Sequence, residues 1–202
     1  MDDPVRGSEA LTDLVGRRPI VGVMGASAAS PAALELARRL GHLVAEAGWI
    51  VLTGGRPAGV MDAACAGAKS VPGSLTVGIL PSGPDGLVGR QVDLAIFTGI
   101  GEARNAVNVL SSDVVVACGV EGPGTASEVA LALRLGRPTV LLAPAPAAAR
   151  FFQEIAGDAQ LHQVPTAEAA IELIEHRLGI RRWPDSRSRG AAEHPSPVRT
   201  EP

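Results

Sequence analysis

The chain is best understood from one stretch between residues 119 and 128, which reads Gly119-Val120-Glu121-Gly122-Pro123-Gly124-Thr125-Ala126-Ser127-Glu128. It lies between the apolar run 114–118 and the periodic apolar run 129–133, a pattern that predicts a turn from a buried strand into a helix. Glycines let the backbone approach an anion, and the first N–H groups of a helix have no partner within it. The stretch is therefore a candidate phosphate-binding turn.

Two further glycine-rich turns follow predicted strands. The first is Gly25-Ala26-Ser27, and we expect the helix after it to be capped by Ser30 and to begin at Pro31. The second runs from Gly54 to Met61 and includes Gly55, Arg56 and Gly59. In a parallel sheet all such turns lie at one edge, where ligands bind.

Strands and helices alternate about every 25 residues, which predicts an α/β fold with a doubly wound parallel sheet of about six to seven strands. We expect a single domain over 19–179. A leader over 1–18, with a short helix at 11–15, precedes it, and a disordered Pro/Arg-rich tail over 180–202 follows it. The predicted strands cover 19–24, 49–53, 75–80, 93–97, 114–118, 139–142 and 161–164.

The composition supports this fold and excludes several functions. The chain is 46% hydrophobic but only 2% aromatic. This composition is expected for parallel strands covered by helices that pack through small apolar side chains. The net charge is −3 and the basic residues are scattered, so we expect no nucleic-acid partner. We find no apolar signal region and no run of about 18 apolar residues, so we expect a cytoplasmic protein and no membrane partner.

Metal, dinucleotide and triphosphate chemistry are also disfavoured. Cys65 and Cys118 are far apart in apolar surroundings, without a CxxC motif or clustered histidines, so we expect no metal site. The turn after the first strand lacks the GxGxxG spacing of a nicotinamide-dinucleotide site, and no glycine loop carries the Lys and Ser/Thr of a P-loop. None of the four histidines is placed as a general base.

Two interpretations of Thr125 and Glu128 are open. The Thr-x-x-Glu spacing before an apolar run is typical of a capping box, in which each side chain accepts a backbone N–H. The neighbouring glycines favour a ligand site instead. Arg104, near a predicted helix start, opposes the helix dipole, which indicates that a ligand or a carboxylate compensates it. Asn105 lies next to it, and Asn108 shares its helix face.

These motifs together resemble a known family. Thr53-Gly54-Gly55-Arg56 with Gly59-Val60-Met61, then Ala103-Arg104-Asn105, then Gly124 to Glu128, resemble the Lonely Guy superfamily, long mislabelled as lysine decarboxylases. The similarity spans about 19–178. The run from Gly101 through Asp113 to Gly119 is most similar to the molybdenum-cofactor carrier proteins and their bacterial relatives.

The resemblance implies a Rossmann-like homodimer that binds a phosphorylated small molecule. No cofactor would be required for catalysis, and the molybdenum cofactor or a nucleotide would be the bound ligand. In the hydrolytic branch, which releases a base from a nucleoside 5′-monophosphate, the catalytic residues correspond to Arg104 and Glu128. The predicted site residues are Gly25, Ser27, Gly54, Gly55, Arg56, Gly59, Arg104, Asn105, Gly119, Gly122, Gly124, Thr125 and Glu128.

The sequence departs from the hydrolytic pattern in the glycine loop. Val120 and Glu121 stand where those enzymes have the first two residues of Pro-Gly-Gly-x-Gly-Thr. A carboxylate beside a phosphate repels it, so either Glu121 faces solvent or the bound group differs. The leading hypothesis is thus a molybdenum-cofactor carrier-like binder of a phosphorylated pterin or nucleotide. The alternatives are a nucleoside 5′-monophosphate phosphoribohydrolase and a sensor of an ADP-ribose-type signal.

Overall fold

A computed structural model describes residues 17–183 as one parallel sheet between two layers of helices. The strands are β1 (Ile20–Met24), β2 (Ile50–Thr53), β3 (Thr76–Leu80), β4 (Leu94–Phe97), β5 (Val114–Cys118), β6 (Thr139–Leu142) and β7 (Leu161–Val164). The helices are α1 (Pro31–Glu46), α2 (Gly59–Lys69), α3 (Arg104–Ser111), α4 (Pro123–Arg134), α5 (Pro146–Ile155) and α6 (Ala167–His176). A short 3₁₀ turn, Gly101–Ala103, leads into α3.

The strand order explains where a ligand can bind. The seven strands are arranged β4-β3-β2-β1-β5-β6-β7, and every neighbouring pair is parallel. The order reverses between β1 and β5, which leaves a crevice at their carboxyl ends. The turns that follow β1, β2 and β5 all open onto this crevice, as predicted.

Two core layers hold the sheet. On one face α1, α2 and α6 pack on apolar strand residues, and on the other α3, α4 and α5 do so. The α1 and α2 helices approach so closely that a Cβ atom on Gly41 would lie 2.0 Å from the carbonyl oxygen of Ala64. This tight spacing suits a core built mainly from aliphatic residues, in which Trp49 and Phe152 are the buried aromatic side chains.

The predicted elements are confirmed, with small differences at their ends. The α1 helix has Ser30 as N-cap, whose side chain accepts the N–H of Ala33, and Pro31 at its first position. The α5 helix begins at Pro146, because proline suits the first helical position. No helix within residues 17–183 is long and apolar enough to cross a membrane.

Residues at both ends of the described region contact the rest of the domain. Arg17 belongs to the predicted leader, yet its Nη1 donates to Oδ2 of Asp113 at 2.9 Å. Trp183 belongs to the predicted tail, yet its N–H donates to the carbonyl of Ala47 at 2.8 Å. The rest of the predicted leader, including the helix expected at 11–15, and of the tail lies outside the described residues.

Candidate functional site

A pocket of about 340 Å³ lies at the carboxyl ends of β1, β2 and β5. It is bounded by the turns that precede α1 and α4, by the turn after β2, and by the start of α3. Its size is in the range of small-molecule sites. The predicted site residues that line it are Gly25, Ser27, Gly54, Arg56, Arg104, Asn105, Gly122, Gly124, Thr125 and Glu128.

Three predicted glycines do not line the pocket and instead shape its walls. Gly55 has a φ of 72°, and a Cβ there would lie 2.9 Å from the Cα of Gly78. Gly59 has a φ of 58° and is the first residue of α2. It packs against the turn after β1, since a Cβ atom on it would lie 2.1 Å from the carbonyl oxygen of Ala26. Gly119 donates its N–H to the carbonyl of Leu142 at 3.1 Å. These positions therefore serve backbone geometry in the structure.

The floor of the pocket holds a buried group of polar side chains. Nη1 of Arg104 lies 3.4 Å from Oε1 of Glu128, and Nδ2 of Asn108 donates to the same oxygen at 3.1 Å. Arg104 is 4% exposed and Glu128 is 6% exposed. Two consecutive turns of α3 thus supply donors to one carboxylate of α4, which is the compensating carboxylate that the position of Arg104 indicated.

Burial governs the electrostatics of this pair. Loss of solvent raises the pKa of Glu128 above its usual value, and this effect outweighs the Asn108 hydrogen bond and the Arg104 charge that oppose it. Burial also lowers the pKa of Arg104, but a guanidinium stays protonated in proteins. The site therefore holds a fixed cation beside a carboxylate with increased proton affinity.

The capping-box interpretation of Thr125 and Glu128 is wrong. The α4 helix begins at Pro123 with Gly122 as N-cap, and no side chain caps it. Thr125 is therefore in the first turn rather than at the cap, and Glu128 lies beyond that turn with its carboxylate bound to α3. Proline at the first helical position moves the helix start ahead of the threonine.

Several polar atoms of this group lack a hydrogen bond. Among the residues that the structure describes, no partner is found for Nε of Arg104, Oδ1 of Asn105, Oδ1 of Asn108 or Oγ1 of Thr125. Buried polar atoms are normally satisfied. Arg104, Asn105 and Thr125 also line the pocket, so three of the residues with unsatisfied polar atoms lie at its wall.

Charged side chains line the mouth of the pocket. Nη2 of Arg56 lies 3.0 Å from Oε1 of Glu102 in an exposed ion pair. Glu121 is exposed, one of the two arrangements expected, and its carboxylate accepts hydrogen bonds from the backbone N–H and the hydroxyl of Ser30. These hydrogen bonds lower the pKa of Glu121.

Three residues of the site were not among those predicted from the sequence. Asn108 binds Glu128, and Glu102 and Met61 line the pocket. Asn108 could have been included, since it lies one helical turn after Arg104. Met61 lines the pocket from the first turn of α2, and no polar signal marks it. Glu102 sits in the 3₁₀ turn, and its approach to Arg56 depends on long-range folding.

Cys65 and Cys118 are both buried free thiols. Burial raises the pKa of Cys65 to about 11 and that of Cys118 to about 12, so both remain protonated near neutral pH. Within residues 17–183 no group of three or more His, Cys, Asp or Glu side chains could hold a metal ion.

The fold and pocket define the class of this protein: a Rossmann-like α/β domain with a polar small-molecule pocket at its topological switch point. Residues 18–171 match the model of the SLOG cluster4 family, and the chain belongs to that family. This match, together with the similarity to the solved structures described next, confirms the resemblance to the Lonely Guy-like superfamily in its molybdenum-cofactor carrier branch.

Solved structures are similar over most of the chain. The molybdenum cofactor binding protein of the phototrophic bacterium Rippkaea orientalis is 48% identical with a TM-score of 0.76, covering 80% of this chain and 98% of that one. The Moco carrier protein of Chlamydomonas reinhardtii is 45% identical with a TM-score of 0.74, covering 81% and 99%. An uncharacterized protein of Archaeoglobus fulgidus is 42% identical over 124 residues, or 61% of this chain and 80% of that protein.

Proposed function

We propose that the chain binds a phosphorylated pterin or nucleotide in its pocket and acts as a carrier of the molybdenum cofactor. The observation that carries the proposal is the set of buried polar atoms without protein partners around Arg104 and Thr125. A polar ligand of matching shape would satisfy them, and leaving them unsatisfied is costly. The similarity to proteins named for binding or carrying this cofactor supports the choice of ligand.

The residues of the pocket fit such a ligand. Gly122 and Gly124 leave open space at the start of α4, where a phosphate group can approach backbone N–H groups. Arg56 and Arg104 supply positive charge near that end. Asn105 and Thr125 offer the hydrogen-bonding atoms that a pterin or purine ring requires.

Binding is tested with purified full-length chain. It is incubated with molybdenum cofactor released from a molybdoenzyme, separated from free cofactor by gel filtration, and the bound pterin is oxidised and measured by its fluorescence. AMP binding is measured by calorimetry. Saturable binding of either ligand is expected, and absence of saturable binding of both rejects the proposal.

A matched pair of arginine variants localises the ligand. Arg56→Gln removes a charge from the pocket mouth, and we expect it to weaken binding about threefold to tenfold. Arg150→Gln removes an exposed arginine from α5, outside the pocket lining, and should leave binding unchanged. Equal affinities in both variants would place the ligand elsewhere.

The buried Arg104 and Glu128 pair also supports a second candidate, hydrolysis of a nucleoside 5′-monophosphate. Breaking an N-glycosidic bond passes through an oxocarbenium-like state. The Glu128 carboxylate would accept a proton from the attacking water, and its raised pKa suits that role. Arg104 would hold the substrate and orient this carboxylate.

Base release separates the two candidates. AMP is incubated with the wild-type chain and with Glu128→Gln, and free adenine is measured by chromatography. Adenine release that is lost in the variant would establish hydrolysis. Saturable binding without adenine release would establish a binding protein, which is the result we expect.

A further inference from the structure

Three helices begin around the pocket, and they differ in what their first N–H groups contact. At the start of α2, the N–H of Val60 donates to the carbonyl of Ala26 at 3.1 Å. A Cβ atom on Gly59 would lie 2.1 Å from that same carbonyl oxygen. The first turn therefore covers the N-terminus of α2 with carbonyl oxygens, which exclude an anion.

The N-terminus of α1 is occupied by a carboxylate of the chain itself. The N–H of Ser30 donates to Oε2 of Glu121 at 2.9 Å, and the Ser30 hydroxyl donates to Oε1 at 2.7 Å. Pro31 has no N–H, and the N–H of Ala33 is satisfied by the Ser30 hydroxyl at 3.2 Å. Glu121 thus takes the place of an external anion at this helix.

The N-terminus of α4 is different. Gly122 provides no capping side chain and Pro123 has no N–H, so the N–H groups of Gly124 and Thr125 have no partner within the helix. Both residues line the pocket. Thr125 is 3% exposed and its hydroxyl has no partner among residues 17–183, which independently points to a ligand at this position.

We infer that Glu121 fills the anion site that α1 would otherwise offer and so limits the pocket to ligands that carry one phosphate group. This inference rests on the proposed function. A ligand with two linked phosphates would place its second phosphate beside the Glu121 carboxylate, and like charges repel at contact distance. Glu121 is therefore a specificity-determining residue.

A limit of one phosphate group separates the ligand classes that the sequence left open. A phosphorylated pterin and a nucleoside 5′-monophosphate each carry a single phosphate monoester. An ADP-ribose-type signal carries two linked phosphates and is disfavoured by the Glu121 carboxylate. Glu121, which imposes the limit of one phosphate group, lies in the glycine loop, where the sequence departs from the hydrolytic pattern.

The test uses inorganic phosphate and pyrophosphate as probes. Neither contains a pterin or purine ring, so their binding reports only the number of anion sites in the pocket. Backbone amide signals of the ¹⁵N-labelled full-length chain are followed by NMR during titration. The variants are Glu121→Ala, Glu121→Gln, which keeps the side-chain shape, and the control Glu172→Ala on the exposed surface of α6. Thermal melts establish that each variant is folded.

In the wild-type chain and in the control, phosphate should shift the amides of Gly124 and Thr125 and leave that of Ala32 in α1 unchanged. In both Glu121 variants, pyrophosphate should also shift Ala32. The affinity ratio of pyrophosphate to phosphate should rise about tenfold, the effect of removing one nearby charge.

An Ala32 shift in the wild-type chain, or an unchanged ratio in both Glu121 variants, would overturn the inference but leave the proposed function standing. No shift at Gly124 and Thr125 in any variant would reject the anion site itself, and with it both proposals. Because Glu121→Gln keeps the loop's shape, a folding defect in Glu121→Ala alone does not affect either outcome.

Discussion

Arg104 and Glu128 form a buried ion pair that joins the first turn of α3 to α4, with Nη1 and Oε1 3.4 Å apart. The same Glu128 oxygen accepts a hydrogen bond from Asn108, while Nε of Arg104 has no partner in the described residues. The pair is thus satisfied on the carboxylate side and incomplete on the guanidinium side. This asymmetry is typical of a group that binds a ligand, and it predicts how substitutions behave.

Glu128→Gln should make the folded chain more stable than wild type at neutral pH. Burial raises the pKa of Glu128 above its ordinary value of 4.5, so at pH values between the ordinary and the raised pKa the folded state binds more protons at this group than the unfolded state does. Stability contributed by this group therefore falls as pH rises from 4.5 through the raised pKa. The Gln oxygen can still accept from Arg104 and Asn108.

Urea unfolding of both chains from pH 4 to pH 8 tests this prediction. The advantage of Glu128→Gln should vanish at the acidic end and grow as pH rises. Glu172→Gln, on the exposed surface of α6, should show no such dependence. A variant that is less stable than wild type at pH 7 would mean that the charge attraction of Arg104 outweighs the burial of the carboxylate.

Much of the fold could be predicted because its signals are local. Apolar runs followed by glycine turns marked β1, β2 and β5, and Ser30 with Pro31 marked the start of α1. Each of these signals depends on residues within one turn of each other. The clustering of the turns at one edge then follows from the parallel sheet.

The chemistry of the site could be predicted only in part, since its contacts join distant residues. The same Thr-x-x-Glu sequence fits a capping box and a ligand site, and the choice depends on how α3 packs against α4. Pro123 was a local signal that the helix starts before Thr125. No local pattern indicated that Glu121 would bind Ser30, 91 positions earlier.

Gly54→Ala should weaken ligand binding by displacing Arg104. A Cβ atom at residue 54 would lie 2.7 Å from Nη2 of Arg104 and 2.9 Å from Sδ of Met61. We expect a stability loss of about 1–3 kcal/mol from overpacking and a binding loss of about tenfold, measured by calorimetry. Gly83→Ala, where the added atom would lie 3.2 Å from a flexible Asp85 oxygen, is the control. Unchanged binding in Gly54→Ala would show that the guanidinium position is not critical.

Removing residues 181–183 should destabilise the domain. The buried Trp49 donates its indole N–H to the carbonyl of Arg181 at 2.8 Å. The backbone N–H of Trp183 donates to the carbonyl of Ala47 at 2.8 Å. A chain ending at Ile180 should therefore be about 2 kcal/mol less stable than one ending at Trp183, which lowers the melting temperature by roughly 5 °C. Equal melting temperatures for the two truncated chains would contradict this role.

Thr125→Val should separate ligand binding from stability. The Thr125 hydroxyl is buried and has no partner in the described chain, so replacing it with a methyl group should leave stability equal or raise it by about 1 kcal/mol. Ligand affinity should fall about fivefold to tenfold through the loss of one hydrogen bond. Calorimetry measures the ligand affinity, and urea unfolding measures the stability.

The matched control is Thr139→Val, because the buried Thr139 hydroxyl donates to the carbonyl of Arg137 at 2.8 Å. That variant should lose about 1 kcal/mol of stability and keep its ligand affinity, so a Thr125→Val chain that loses stability but binds normally would assign the hydroxyl a structural role.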